Sequence, residues 1–472
     1  MSARTASGVT ARARLSLLLI ALCWLQTAVA QQQLPPLEKL RYEEDYGSLR
    51  SQLPLRGWPA RWKYLPLDSG ATQYLSIGGE IRQRYEYTEN PLFGADPQDS
   101  HGVWLHRYSI LGDLHPNRHM RIFAQLTSAQ EAGRAGGPSP VDENKLEWQN
   151  AFLDLRGPLT ASNELTLRAG RQEVELGSGR LVSVREGPNV RRTFDGVRGL
   201  LNPDLGQLSA VALRPREDNP GEFDDSTDSS QALWGLYATS AENLLHYGSL
   251  DLYFLGYENN LAEYTQGIDH EDRYSLGGRY WGNSGRWTWN WEALYQYGGF
   301  GSGDIHAWTI ASETAYRWQS ACWQPQLRLS VNIASGDDNL DDPELGTFNP
   351  LFPRGNYFSE AAVLGPRNFY NFHTFLDLQP SERWTLTTDI NLFWRLTTAD
   401  GVYSPSGQII RFAEGSSKRH VASSFSFTAE YTFDRGLLFT AIYTYLQPGS
   451  FIRATGPAED IHFTEVTLQY RF

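Results

Sequence analysis

Cysteine, methionine and long apolar runs are scarce in this chain. Its 472 residues hold two cysteines and two methionines. Cys23 lies in an N-terminal stretch that reads as removable, which leaves Cys322 alone and rules out an intramolecular disulfide in what remains. So little methionine argues against an adaptable, Met-rich core. Beyond residues 15–25, no stretch approaches the roughly 18–20 continuous apolar residues that a membrane helix needs. A catalytic constellation is missing as well. His101, His106, His115 and His119 sit close in sequence, but they straddle a strand and a turn without metal-ligand spacing. Nothing pairs a serine with an ordered base. The chain reads as no enzyme and calls for no cofactor. Its formal net charge of −13 argues against nucleic acid as a partner.

What is present begins with the first thirty residues. Arg4, Arg12 and Arg14 precede the apolar run 15–25, and Ala28-Val29-Ala30 offers small residues at a cleavage site. That is the three-part layout of a secretory signal peptide over 1–30, with Gln31 as the mature start. Cys23 suggests a lipoprotein, but Leu22 stands where a lipobox wants Gly or Ala.

A two-residue period runs through the rest. In residues 75–87, Leu75, Ile77, Ile81, Tyr85 and Tyr87 alternate with Ser76, Glu80, Arg82, Arg84 and Glu86. Residues 287–297 set Trp287, Trp289, Trp291 and Tyr295 against Thr288, Asn290, Glu292 and Gln296. Residues 384–396 and 421–433 repeat the pattern. Such strands have two different solvents on their two faces, and each is as long as a tilted membrane strand. About eighteen periodic segments follow one another with turns between them, as a transmembrane barrel requires. The alternation slips in 146–156 and 192–201. A negative mean hydropathy fits a barrel, in which only alternate residues meet lipid. Aromatic residues make up 13% of the chain, with 15 Trp and 24 Tyr; such rings collect in girdles at membrane interfaces.

The last segment sets Val466, Leu468, Tyr470 and Phe472 on one face and Glu465, Thr467, Gln469 and Arg471 on the other. A chain ending on an aromatic strand is similar to bacterial outer-membrane barrels, whose assembly machinery reads that end; Tyr470 and Phe472 are the residues expected to carry this signal. Taken alone, the segment also fits the last strand of a β-sandwich. The expected organisation is a signal peptide (1–30), a periplasmic leader (31–73) and one all-β transmembrane antiparallel barrel (74–472).

Several blocks resemble the alginate export family of outer-membrane porins. They are residues 41–46 (Arg-Tyr-Glu-Glu-Asp-Tyr), 63–67, 78–86, 170–173, 179–182, 189–196, 334–337 and 347–355. The resemblance spans about Arg41 to Phe472. It implies a monomeric barrel of about 18 strands with an arginine-lined constriction through which an anionic polysaccharide leaves the cell. It also implies a place in the outer membrane of a Gram-negative bacterium. By the same resemblance Arg171, Arg192 and Asp195 lie at or near the constriction, and Arg354, in the block 347–355, is a further pore or substrate-binding candidate.

Independently of the family, the pleat assigns Arg82, Arg84, Arg107, Arg121, Arg279, Arg328, Arg395 and Arg471 to polar faces. An arginine on the lipid side near mid-bilayer costs about 2–4 kcal/mol, so these face inward. A ring of guanidinium groups suits a chain of carboxylates, each fork holding one bidentately. The alternative is that the arginines pair with Glu80, Glu86, Asp113, Glu430 and Glu465 and stiffen the wall. Residues 170–198 pack Arg171, Glu173, Arg180, Arg185, Arg191, Arg192, Asp195 and Arg198 into one stretch and are the strongest site candidate; a basic periplasmic turn is the alternative. Acidic residues gather instead in turn-like stretches (217–228, 269–272, 337–344). There Asp337, Asn339 and Asp341 offer a weak Ca²⁺ candidate lacking the glycine and closing glutamate of a full loop. The expected partners are membrane lipid, the barrel assembly machinery and an anionic polysaccharide. Two rival expectations remain open: a general porin for small acidic solutes, and a non-conducting structural or adhesin barrel.

Overall fold

The computed structural model describes residues 34–472 apart from 161, 162 and 243. The expected signal peptide, with Cys23, lies outside the described residues. Eighteen long strands follow in order: β1 (Tyr74–Glu89), β2 (Val103–Asn117), β3 (Met120–Ala132), β4 (Asn144–Pro158), β5 (Glu164–Gln172) and β6 (Phe194–Leu201). Next come β7 (Gly206–Glu217), β8 (Gln231–Ser240), β9 (Gly248–Tyr264), β10 (Gly267–Ser284), β11 (Trp287–Phe300) and β12 (Gly303–Arg317). The last six are β13 (Gln326–Ala334), β14 (Phe369–Ser381), β15 (Trp384–Trp394), β16 (His420–Thr432), β17 (Leu437–Pro448) and β18 (Ile461–Arg471). Each pairs antiparallel with the next, and β1 pairs with β18 from Glu80↔Arg471 to Glu89↔His462, which closes the barrel.

Burial is inverted relative to a water-soluble sheet. Ile110 is 57% exposed and Leu276 59%, whereas Glu80, Arg82, Arg107, Arg273 and Gln296 are buried. Apolar residues turn outward to lipid and polar ones fill the interior, as the alternation predicts. The two weak segments have local causes. Along β4 the pairing with β3 skips at Gln125/Leu126 and again at Thr127/Ala129, so the pleat loses phase. Residues 192 and 193 belong to a loop, and β6 begins only at Phe194.

One rim carries short turns, including 118–119, 285–286 and 382–383; the other carries the long connections 90–102, 173–193, 218–230, 335–368 and 395–419. Two of these fold into the lumen and meet there. Val182 pairs with Phe352 in parallel register; Ser183 N donates to Phe352 O at 2.9 Å, and Phe352 N to Leu181 O at 2.8 Å. Phe194 packs edge-on against Phe352. This pairing lays a septum across the barrel.

The leader fills part of the lumen on the short-turn side. Tyr42 is buried edge-on against Phe123 and Phe152, which face inward from β3 and β4. Further along, Leu65 and Pro66 pair with Leu75 and Tyr74, the part of β1 that overhangs β18.

Candidate pore lining

The lumen that remains divides into chambers on the two sides of the septum. On the short-turn side, one cavity of about 360 Å³ is lined by Arg180, Arg328, Arg354, Glu313, Tyr357 and Glu360 among others. A second of about 400 Å³ is lined by Arg82, Arg84, Glu186, Glu465 and Arg471, and the two share Asn356, Glu360, Thr428 and Glu430. On the long-loop side, a cavity of about 360 Å³ is lined by Arg185, Arg192, Arg216, Asp218, Glu271, Phe352 and Arg367. Phe352 thus borders one side and Arg354, two residues on, the other.

Most wall arginines are neutralised locally. Arg107 bonds Glu80 at 2.8 Å and Glu186 at 2.7 Å, and Arg471 meets the same two carboxylates. Burial raises the Glu186 carboxyl, but Arg191, Arg107 and Arg471 outweigh it and hold it well below its ordinary range. Arg84 pairs with Glu465 and Glu86, and Arg121 with Asp113 while donating to Tyr42 O of the leader. Arg279 pairs with Asp251, and Arg328 with Glu313 and Asp377. Arg82 is held by the oxygens of Glu186, Pro188 and Asn189. The wall-stiffening network anticipated as an alternative therefore occupies Glu80, Glu86, Asp113 and Glu465. Glu430 has no cationic partner among the described residues.

Two expected site residues face elsewhere. Arg171 and Asp195 lie opposite each other in the β5–β6 register, 2.8 Å apart. Gln172 and Phe194, the next pair, face the lumen; the pleat therefore turns Arg171 and Asp195 to the outside. There Asp195 also accepts a bond from Thr227 in the loop 218–230. The resemblance implied a place at or near a constriction; the register instead pairs the two with each other on the outward face. Arg395 also departs from expectation. It sits one residue past β15, is 0% exposed, and donates to the carbonyls of Thr398, Asp400, Ser416 and Lys418, with its plane over Phe451. It ties the loop 395–419 together instead of lining the wall.

Arg192 and Arg354 differ from the ion-paired wall arginines, since neither has an ion-pair partner among the described residues, and from Arg82 and Arg395, whose forks several oxygens fill. Arg192 donates to Pro353 O at 3.1 Å and lies over the Phe352 ring. Burial, reinforced by neighbouring Arg185, pushes its guanidinium down to about 9. Arg354 rests over Tyr357, and its buried Nε has no partner among the described residues. Burial and Arg180 lower it in turn. Arg367, which sequence reasoning missed, likewise has no carboxylate partner among the described residues and stacks on Tyr264 and Tyr403. Its loop has no period to read. An uncompensated cation in such a place gains from any anion that reaches it.

The Ca²⁺ candidate does not assemble. Asp337 is buried toward Asp400, whose carboxylate accepts the Asp337 N–H, while Asn339 and Asp341 point to solvent and Asn339 bonds Asp342. Among the described residues no group of three or more acidic, His or Cys side chains could hold a metal ion. The four clustered histidines disperse: His115 meets Asp113 and stacks on Tyr74, whereas His106 bonds Gln83.

The alginate export family profile matches residues 73–464. Among curated proteins, none matches the sequence. Three similar crystal structures are Pseudomonas aeruginosa OccK5 (OpdH), Acinetobacter baumannii OccAB2 and P. aeruginosa OccK8 (OprE), with TM-scores of 0.53, 0.56 and 0.52. Their sequence identities are 12%, 10% and 12%, and each comparison covers 84% of this chain and 98% of the other. At that identity the likeness is one of fold. With the closed barrel, the lumenal loops and a profile match over most of its length, the chain belongs to the alginate export family and is built as an outer-membrane porin-type barrel.

Proposed function

We propose that this chain is a passive porin of a Gram-negative outer membrane that passes an anionic, uronate-type polysaccharide outward through its arginine-bearing lumen. The observation that supports this most is the placement of Arg192 and Arg354. They are cations without carboxylate partners, one on each side of the Phe352 septum. A polyanion offers one carboxylate per sugar, so it can engage both in turn. Several moderate contacts favour passage over capture in one deep pocket. Nothing in this reading requires catalysis or energy coupling in the chain. The terminal Tyr470 and Phe472 are proposed as the signal read by the assembly machinery, and the working unit as the monomer.

The pairing of the two loops favours a second reading, a porin for small acidic solutes, because a septum admits a small anion more readily than a polymer. Planar-bilayer recording with uronate oligomers separates these readings. Anion-selective current blocked by the oligomers supports the polysaccharide; current without block supports the small-solute porin. Silence supports a structural barrel. Substituting Arg192 and Arg354 with Ala should reduce the anion preference, and an unchanged preference would count against the mechanism.

A further inference from the structure

Three leader residues, Lys39, Arg41 and Tyr42, touch the two places that define a finished barrel. Arg41, which is fully enclosed, donates through Nη1 to Gly79 O at 3.0 Å and through Nη2 to the main-chain oxygen of Phe472 at 2.9 Å. Those two oxygens are the ones that join the first and last strands at their end. Gly79 N donates to Phe472 O at 2.9 Å and Phe472 N to Gly79 O at 3.0 Å. Glu44 neutralises Arg41 at 2.6 Å. The fit is close: a Cβ on Gly78 would stand 2.8 Å from both Phe472 O and the Lys63 amine, and 3.2 Å from the Arg41 guanidinium.

The neighbouring residues reach the root of the septum loop. Tyr42 donates its hydroxyl to Glu173 O at 2.7 Å, Lys39 pairs with Glu175 at 2.5 Å, and Arg191 donates to Lys39 O at 3.0 Å. Both ends of the loop 173–193 are thus held by the leader.

We propose that residues 39–44 couple closure of the barrel to the setting of its septum: Arg41 recognises the joined first and last strands, and Tyr42 then fixes the loop 173–193. The physical ground is the order in which the contacts can form. The Arg41 guanidinium is buried, and burying it without both carbonyls and Glu44 is costly. Its pocket exists only when Gly79 and Phe472 are paired. An open barrel therefore cannot seat Arg41, and without that anchor Tyr42, kept near the wall by Phe123, Phe152 and Arg121, holds Glu173 less firmly. The ends of the loop reach their full hold once the seam has closed. Tyr42 is here a positioning residue, acting on the pore through Glu173.

Hydrogen–deuterium exchange on the full-length refolded protein tests this without requiring that the pore conduct. Two variants are compared with the parent: Tyr42→Phe, which keeps the packed ring but removes its hydroxyl, and Arg41→Gln with Glu44→Gln, which keeps the site neutral. In both, amides of 173–193 should exchange at least about fivefold faster, the factor that one lost hydrogen bond gives. Amides of 81–88 and 462–469 should keep their protection. Unchanged exchange of 173–193 in Tyr42→Phe overturns the coupling, whether or not the double variant folds. Equal loosening of the seam strands in Tyr42→Phe also overturns it, since that would be general destabilisation. Channel current read in parallel bears on the pore function alone: a silent parent sinks the porin reading while the exchange result stands.

Discussion

Val182 and Phe352 pair in parallel register, although their loops leave the wall from nearly opposite sides, between β5 and β6 and between β13 and β14. The ring of Phe352 is wedged against Phe194 and Tyr257, with Arg192 above it. Replacing Phe352 with Ala removes a buried aromatic, a loss of about 3–5 kcal/mol at a packed site. The expected outcome is a larger and noisier unit conductance with the barrel itself intact. Identical current traces from parent and variant would show that the septum does not limit flow.

Arg171 and Arg395 supply a contrast to Arg192 and Arg354. Arg171→Ala takes the cation from Asp195 on the outer face and leaves it Thr227, and Arg395→Ala removes four bonds donated to carbonyls, each left-over acceptor costing about 1–3 kcal/mol where neither water nor another donor reaches it. Both should lower stability, Arg395→Ala chiefly as proteolytic nicking within 395–419. Neither should alter the anion-to-cation permeability ratio. A drop in that ratio for Arg171→Ala as large as for Arg192→Ala would refute the outward placement.

Acidity should tighten the base of the loop 335–368. Asp337 is 2% exposed, and burial, then the Asp400 charge, raise its carboxyl to about 6. One of its oxygens has no partner among the described residues. Since the folded state binds the proton better than the unfolded chain, whose value is about 3.9, this contribution is complete below about pH 4 and is lost as pH rises through about 6. Asp337→Asn should remove the dependence and stabilise the loop base at neutral pH by on the order of 2 kcal/mol. Proteolytic nicking within 335–347 is the readout, parent against variant at pH 5 and 7.5; equal rates at both would dispose of the idea.

The lipid-facing assignment can be probed at Leu276, which is 59% exposed in the middle of β10. Leu276→Arg should destabilise the folded barrel by about 2–4 kcal/mol in bilayers, whereas Thr428→Arg, facing the short-turn chamber, should be tolerated. Urea midpoints of vesicle-inserted protein decide, and equal tolerance would place Leu276 away from lipid.

The wall was legible from sequence because its code is local. A period of two needs only neighbours, and β1, β11 and β16 lie within a few residues of where the alternation puts them. What lay beyond reach was decided by register and by loops. Arg171 looks like Arg168 in the sequence, yet a shift of three residues sends one outward and the other in toward Asp154. Nothing in the loop 335–368 announces that Arg354 goes unpaired, because its environment joins nearby Tyr357 to Arg180 of another loop and to Glu313 and Arg328 of the wall. The Gly78-Gly79 pair, legible only as part of a family-like block, has its physical reason in the approach of Phe472 and Arg41.

The wall is also uneven in height. Strand β6 has 8 residues and β10 has 18, a difference of about 30 Å of extended chain. The lengths follow no single slope around the ring, with 16 residues in β1 and 9 in β13 as well, so the rim is ragged and no one plane bounds its mouth. Such an edge frames no fixed doorway, and the shape of the way through comes from the two loops that meet inside it.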